Sequence, residues 1–339
     1  MNVQQAIGAL VERRDLSGEQ MTAVMRQIMT GEATDAQIGA FLAALRMKGE
    51  TVAEIVGAAK VMRELSTRVD VADLAHLVDT CGTGGDSAST FNVSTAAAFV
   101  VAAAGAHVAK HGNRSVSSAC GSADVLEAAG VNLDLSSEQV AQCIREARFG
   151  FLFAPAHHKA MRYAVGPRKE MGVRTVFNVL GPLTNPAGAP NQVVGVYSDD
   201  WVEHVAHVLG ELGSRHVMVV HAADGLDEIS IGAETHVAEY CDHGVETYTI
   251  APEDFGMTRA PVEGIRVSSA EESLQVIRAC FAGETGPAHD IIALNAGAAI
   301  YVSGVAASLA DGIDRAREAM ANGAAQERLD EVVRVSNAR

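Results

Sequence analysis

The stretch DTCGTGGDSASTFNVST (79–95) puts three glycines and an aspartate into five residues, Gly82 to Asp86, and then a run of hydroxyl side chains. It follows an apolar strand pattern and precedes an alanine-rich helical one. Glycines there let the backbone turn tightly and present amide N–H groups to an anion, while the helix N-terminus adds positive potential. No Lys-Ser/Thr follows, so this is not a Walker loop. After Gly82 and Gly84 the third place of a dinucleotide fingerprint is Ser87. Spacing alone leaves two readings open, an anion cradle and a tight strand–helix connection without a ligand. Asp86 would repel a phosphate unless it faced a metal or a cationic ring.

Three further stretches carry chemistry. AKHGNRSVSSACGSADVLEAAG (109–130) groups Lys110, His111 and Arg114 around Gly112, with hydroxyls at Ser115, Ser117, Ser118 and Ser122. Cations, hydroxyls and freed amides suit a multiply charged phosphate, each oxygen of which wants a donor. A solvated basic loop is the alternative, and His111 by itself reads as structural. HAADGLDEISI (221–231) offers Asp227 and Glu228 after a strand and a glycine turn. Neighbouring carboxylates on an extended strand point to opposite faces, so they serve one metal cluster only where the backbone bends or two ions bind. Magnesium suits one or two carboxylates completed by substrate phosphates, although DE is also a common surface dipeptide. In FLFAPAHHKAMRYAVGPRKEMGVRTVFNVLGPLTNP (151–186), His157, His158, Arg162 and Arg168 fall on or near one helix. A buried arginine there could take a carboxylate bidentately, whereas the histidine pair lacks the spacing of a helical zinc site. NVLGPLTNP reads as a loop.

Local patterns dictate the elements that hold these groups. Ser17 with Gln20, Thr34 with Gln37 and Thr51 with Glu54 match the capping-box spacing. Met21, Val24, Met25 and Ile28, and then Ile38, Phe41, Leu42 and Leu45, recur at helical intervals, with Gly31 and Gly49 where the helices should stop. From about residue 70, apolar strand patterns at 77–81, 106–110, 150–154, 192–197 and 215–221 alternate with helical ones at 94–104, 122–129, 137–147, 157–171 and 201–212. A small antiparallel hairpin is expected at 236–250, and helices at 269–282, 288–303 and 308–333. The expected fold class is α/β: a small all-helical N-terminal domain (1–69, joined by part of 170–190) and a larger domain (70–339). The larger domain has a mainly parallel central sheet flanked by helices.

Acidic residues number 42 against 26 basic ones, a formal charge of −16, which repels nucleic acid and anionic membrane. Five cysteines without a CxxC pair support neither a zinc ribbon nor a disulfide framework. With no secretory pattern and no apolar run of spanning length, a cytoplasmic location is expected.

Taken in order, GTGGD (82–86), NVST (92–95), KHGNR (110–114), GSADVLEAAG (121–130), FAPAHHKAMR (153–162), RTVFNVLGPLTNP (174–186) and GLDEISI (225–231) resemble the anthranilate phosphoribosyltransferases over nearly the whole chain. The resemblance implies a homodimer acting on anthranilate and phosphoribosyl pyrophosphate in tryptophan biosynthesis. It implies that Gly82, Gly85, Asp86, Thr90, Asn92, Val93, Ser94, Thr95, Lys110, His111, Gly112, Asn113, Arg114, Ser115, Ser118 and Ser122 line the sugar-donor site. Gly82, Asn113, Arg168 and His158 would meet anthranilate, His158 near its entry path. Asp227 and Glu228, with Ser94, would hold Mg2+, two ions per subunit, and no residue is expected as a dedicated acid or base. Ser87 stands where the family often has glycine, which puts the mobility of this loop in question. A pyrimidine nucleoside phosphorylase would carry a KHS-type phosphate loop in place of GTGGD. A non-enzymatic nucleic-acid-binding relative would lack GTGGD and DE and show a basic face.

Overall fold

The computed structural model describes residues 1–85, 88–114, 120–242 and 244–338. The chain opens with four helices, α1 (Val3–Val11), α2 (Gly18–Met29), α3 (Asp35–Lys48) and α4 (Val52–Glu64). Each starts with a capping box, on Asn2, Ser17, Thr34 and Thr51, the first of which the sequence reading did not anticipate. The eight apolar residues expected to face inward on α2 and α3 are all buried, and Gly31 and Gly49 stand at the helix ends. The last box does more than cap. Glu54 is fully buried, and its carboxylate accepts from the amides of Thr51 (2.8 Å) and Leu16 (2.9 Å) and from Lys48 Nζ (2.9 Å).

The larger part alternates strand and helix: β1 (Leu77–Gly82), α5 (Val93–Ala103), β2 (His107–Gly112), α6 (Ser122–Ala128), α7 (Ser137–Ala147) and β3 (Phe149–Phe153). It continues with α8 (Ala154–His157), α9 (Arg162–Met171), α10 (Phe177–Leu180), β4 (Asn191–Gly195), α11 (Val202–Glu211), β5 (His216–Ala222), β6 (Thr235–Cys241) and β7 (Gly244–Ile250). Helices α12 (Ala270–Phe281), α13 (Pro287–Val302), α14 (Leu309–Ala321) and α15 (Ala324–Asn337) follow. The seven strands form one sheet in the order β3-β2-β1-β4-β5-β6-β7; β1 to β5 run parallel, and the expected hairpin, β6 and β7, extends the same sheet antiparallel. β1 pairs with β2 on one side and β4 on the other. Strand order reverses there, and in open α/β sheets ligands bind beyond the carboxyl ends of strands at such a point.

One sheet face packs on α5 and α13 with the C-terminal helices. The other packs on α11 and shares its core with the N-terminal helices and with Ala164, Phe177 and Leu180 of α9 and α10.

Three expectations need correction. The helix expected at 157–171 breaks at His158 (φ −111°, ψ 56°), because the carbonyl of His157 accepts from Thr67 N (2.8 Å) instead of continuing the helical ladder. His157 and His158 therefore do not share a helix with Arg162 and Arg168. The stretch 308–333 divides into α14 and α15 at Gly323 (φ +82°). NVLGPLTNP is not an open loop but α10 and a 3-10 turn (Pro182–Thr184), largely buried.

Candidate functional site

The carboxyl ends of β1, β2, β4 and β5 bring three of the four chemical stretches together. Thr83 N bonds Gly195 O (2.9 Å) at the end of β4, and Thr83 Oγ1 accepts from Tyr197 N (3.1 Å). The next amide, Gly84 N, donates to Asp227 Oδ2 at 2.7 Å. Asp227 and Glu228 lie not in a strand but in the bent segment after β5. The bend lets both serve one region, because Glu228 Oε1 accepts from Ser94 N (3.1 Å) in the first turn of α5. The DE pair is thus no surface dipeptide: one carboxylate holds the glycine loop and its neighbour holds the helix start.

Glycine is required where Asp227 lies against the strand ends. A Cβ on Gly82 would strike the Asp227 carboxylate, and a Cβ on Gly195 would strike the Asp227 carbonyl. Arg174 closes the outer side of the loop, donating from Nη2 to Gly85 O (2.5 Å) with its guanidinium 4.2 Å from the Tyr197 ring centroid.

Lys110, on β2, is buried in the floor. Its Nζ donates to Thr80 O (2.5 Å) and Ser94 Oγ (3.3 Å). Burial pulls its pKa below the ordinary lysine value, and Asp79 opposes that shift. Asp79 is fully buried too, and burial raises its carboxyl pKa. Its oxygens accept from His111 N (3.1 Å) and Asn185 Nδ2 (2.7 Å). Neither Asp79 nor Asn185 was read as a site residue. A carboxylate inside the apolar run of β1 was the available signal, since a buried charge needs partners.

On the far side of Lys110 lies a histidine pair. His111 and His158 have ring centroids 5.1 Å apart. His111 Nδ1 bonds Gly181 O (3.1 Å), and the buried Nε2 atoms of both rings have no hydrogen-bond partner among the described residues. Burial and the neighbouring imidazoles lower the pKa of His111 to about 3 and that of His158 to about 4, so both rings are neutral at pH 7. Half-buried Arg168 lies over the Phe177 ring (5.2 Å), and among the described residues no carboxylate pairs with it. Burial lowers its pKa.

The remaining candidates take varied places. Val93 and Thr95 are buried in α5, and Thr95 Oγ1 lacks a partner among the described residues. Thr90 bridges Arg266, and Asn92 stands at the N-cap position of α5 without a side-chain bond to the helix. Ser122 Oγ donates to Asn113 O (3.2 Å) and packs where a Cβ on Gly112 would go. Arg114 turns to Glu127 and Asp124, the Glu127 pair being bidentate (2.6 and 2.8 Å). His157 Nδ1 bonds Thr67 O (2.8 Å), and Arg162 stacks on Tyr163. Asp86, Ser115 and Ser118 lie outside the described residues, as do Ser87 and Ser117. No helix of the described chain is long and apolar enough to cross a membrane.

The geometry can hold an oxygen-ligated cation and an anion between the glycine loop, the start of α5 and Lys110, with Arg174 on the outer side of the loop. Known proteins share this plan. Residues 4–66 match the helical bundle domain of a glycosyl transferase family, and residues 74–326 match the a/b domain of a glycosyl transferase family. Anthranilate phosphoribosyltransferase of Thioalkalivibrio sulfidiphilus is 67% identical over 98% of each chain, and that of Alkalilimnicola ehrlichii 63% over 98% of each. The crystal structure of the Thermus thermophilus enzyme superposes with a TM-score of 0.93 at 43% identity, covering 98% of this chain and 99% of that one. The Saccharomyces cerevisiae enzyme in complex with PRPP and Mg superposes at 0.90 with 26% identity, covering 99% and 98%. At this identity over the full length, with both domains matched, the chain belongs to the anthranilate phosphoribosyltransferase family.

Proposed function

We propose that the site transfers the phosphoribosyl group of 5-phosphoribosyl 1-pyrophosphate to the amine of anthranilate through charge stabilisation and positioning, with no dedicated acid or base. The observation that carries this is the convergence of Asp227 on Gly84, Glu228 on Ser94 and Lys110 on Ser94 where the strand order reverses. Two carboxylates and a hydroxyl form a hard-oxygen set that fits Mg2+, and too few protein donors meet there to complete a shell without substrate phosphates. Among the described residues no cluster of three or more His, Cys, Asp or Glu side chains forms a separate metal centre. We assign Asp227, Glu228 and Ser94 to Mg2+, at two ions per subunit. When bound, the metal neutralises charge on the departing pyrophosphate.

The chain's own groups do the rest. Gly82, Gly85, Asn92, Ser94, Thr95, Lys110 and Ser122 hold the sugar donor, and buried Lys110 places positive charge beside the pyrophosphate. As the C1–O bond breaks, its electron pair leaves with pyrophosphate and the sugar gains cationic character. The amine lone pair of anthranilate then forms the N–C1 bond. The nitrogen becomes strongly acidic on bonding, so its proton leaves without a strong base. Arg168 and Asn113 orient the anthranilate carboxylate, and neutral His111 and His158 line its approach without adding charge.

GTGGD in place of a KHS-type loop disfavours the nucleoside phosphorylase, and GTGGD, the DE pair and the formal charge of −16 disfavour the nucleic-acid-binding relative. We further assign residues 1–69, with part of 170–190, to a helical domain that closes over the sugar to exclude water. We also assign homodimer assembly and a cytoplasmic location. Exposed Val11 and Met47 on the N-terminal helices suit a self-association surface.

The anthranilate assignment is tested by Arg168→Ala. The KM for anthranilate should rise by on the order of a hundredfold, as expected for loss of a charge-assisted bidentate contact, while that for the sugar donor changes by less than about threefold. Equal increases in both would remove Arg168 from the anthranilate subsite.

A further inference from the structure

The segment joining the glycine loop to α5 is gripped by a part of the chain almost two hundred residues away. Thr90 forms an antiparallel bridge with Arg266; Phe91 N bonds Ile265 O (3.0 Å), and Val267 N bonds Ser89 O (2.9 Å). The grip ends on Ser273, a fully buried residue in the first turn of α12. Its Oγ accepts from Asn92 N (3.0 Å) and donates to Asn92 Oδ1 (2.8 Å).

The Ser273 hydroxyl gives its one hydrogen to Asn92 Oδ1, and Cys120 Sγ, 2.8 Å away, donates to the same atom. With Oδ1 drawn back between two donors, the amide turns its Nδ2 donors the other way; among the described residues their partner is Cys120 O, marginal at 3.4 Å. Donors are what an oxygen-rich sugar pyrophosphate requires, and the flipped amide would set an oxygen against it.

We infer that Ser273 is a positioning residue for the sugar donor: it fixes the amide of Asn92 in the one orientation that receives phosphoribosyl pyrophosphate. The inference rests on the assignment of Asn92 to the donor site. Nothing in the local sequence around NVST announces it, since the two residues are 181 positions apart.

A double-mutant cycle on the full-length enzyme tests it. Ser273→Ala should raise the KM for phosphoribosyl pyrophosphate about tenfold, with the KM for anthranilate within about twofold of the native value. In an Asn92→Ala background the same substitution should add less than about twofold, because the group it orients is gone. Cys120→Ala, which removes the second donor to Oδ1, should move the same parameter in the same direction by a smaller factor. Equal effects on the two KM values, or a Ser273→Ala effect as large without Asn92 as with it, would overturn the positioning role. A clear Asn92→Ala defect with native Ser273→Ala kinetics would also overturn it while leaving Asn92 in the site. An unchanged donor KM in Asn92→Ala alone would instead overturn the assignment of Asn92.

Discussion

Replacing Asp227 by Asn together with Glu228 by Gln is expected to lower kcat/KM for the magnesium-dependent reaction by at least on the order of a thousandfold. The carboxamides keep an oxygen for each backbone donor, Gly84 N and Ser94 N, so the loop and the start of α5 stay tethered. What the substitution removes is two negative charges, which on the proposed assignment draw a divalent cation there. Lys110, a single charge already shared with buried Asp79, does not replace the charge of a divalent cation. Activity should not recover with excess Mg2+, while far-UV circular dichroism and the urea midpoint stay near native. A double variant with native magnesium dependence would take the pair out of the site.

The second large effect is expected from a single methyl group. Gly195→Ala places a Cβ against the backbone carbonyl of Asp227, an atom that cannot rotate away as a side chain would. Overpacking of this kind costs about 1–3 kcal/mol even where the surroundings can shift. Here the surroundings are the segment proposed to hold Mg2+, so relief comes only by lifting Asp227 off the end of β4. Activity should fall below detection and the Tm should drop by several degrees, by roughly 2–4 °C for each kcal/mol in a chain of this size. Gly8, inside α1, has nothing within 4 Å of its missing Cβ and serves as the control. Gly8→Ala should keep full activity and gain about 0.5–1 kcal/mol. A Gly195→Ala enzyme with native turnover would mean that the Asp227 segment can move freely.

The readable parts of this molecule are those whose cause is local. Ser17, Thr34 and Thr51 announce helices because the capping partner lies three residues away, and the spacing of Met21, Val24, Met25 and Ile28 reports a face because the helix repeats every few residues. The strands were legible from apolar runs, and β1 through β5 fall within a residue or two of their expected places. The break at His158 was not legible, since it comes from a hydrogen bond to Thr67, far away in the chain. The strand order, and with it the meeting of residues 82–84, 94, 110 and 227–228, also follows from packing rather than from any local period.

The site shows the same division. Residue types in GTGGD, KHGNR and DE were enough to suggest anion and metal chemistry, but only contacts across the sheet separate a metal carboxylate from a surface one. Asp79 and Ser273 went unnoticed for a related reason: their roles depend on partners at 111, 185 and 92. Arg114 shows the opposite case, a cation well placed in sequence that turns toward Glu127 and Asp124 of its own neighbourhood.

The most direct measurement is the fluorescence of anthranilate mixed with the purified protein, phosphoribosyl pyrophosphate and Mg2+. Fluorescence should decay as the amine is ribosylated, the decay should stop when EDTA is added, and it should resume when Mg2+ is restored. Steady fluorescence with folded protein and intact donor, or decay indifferent to EDTA, would contradict magnesium-assisted phosphoribosyl transfer at this site.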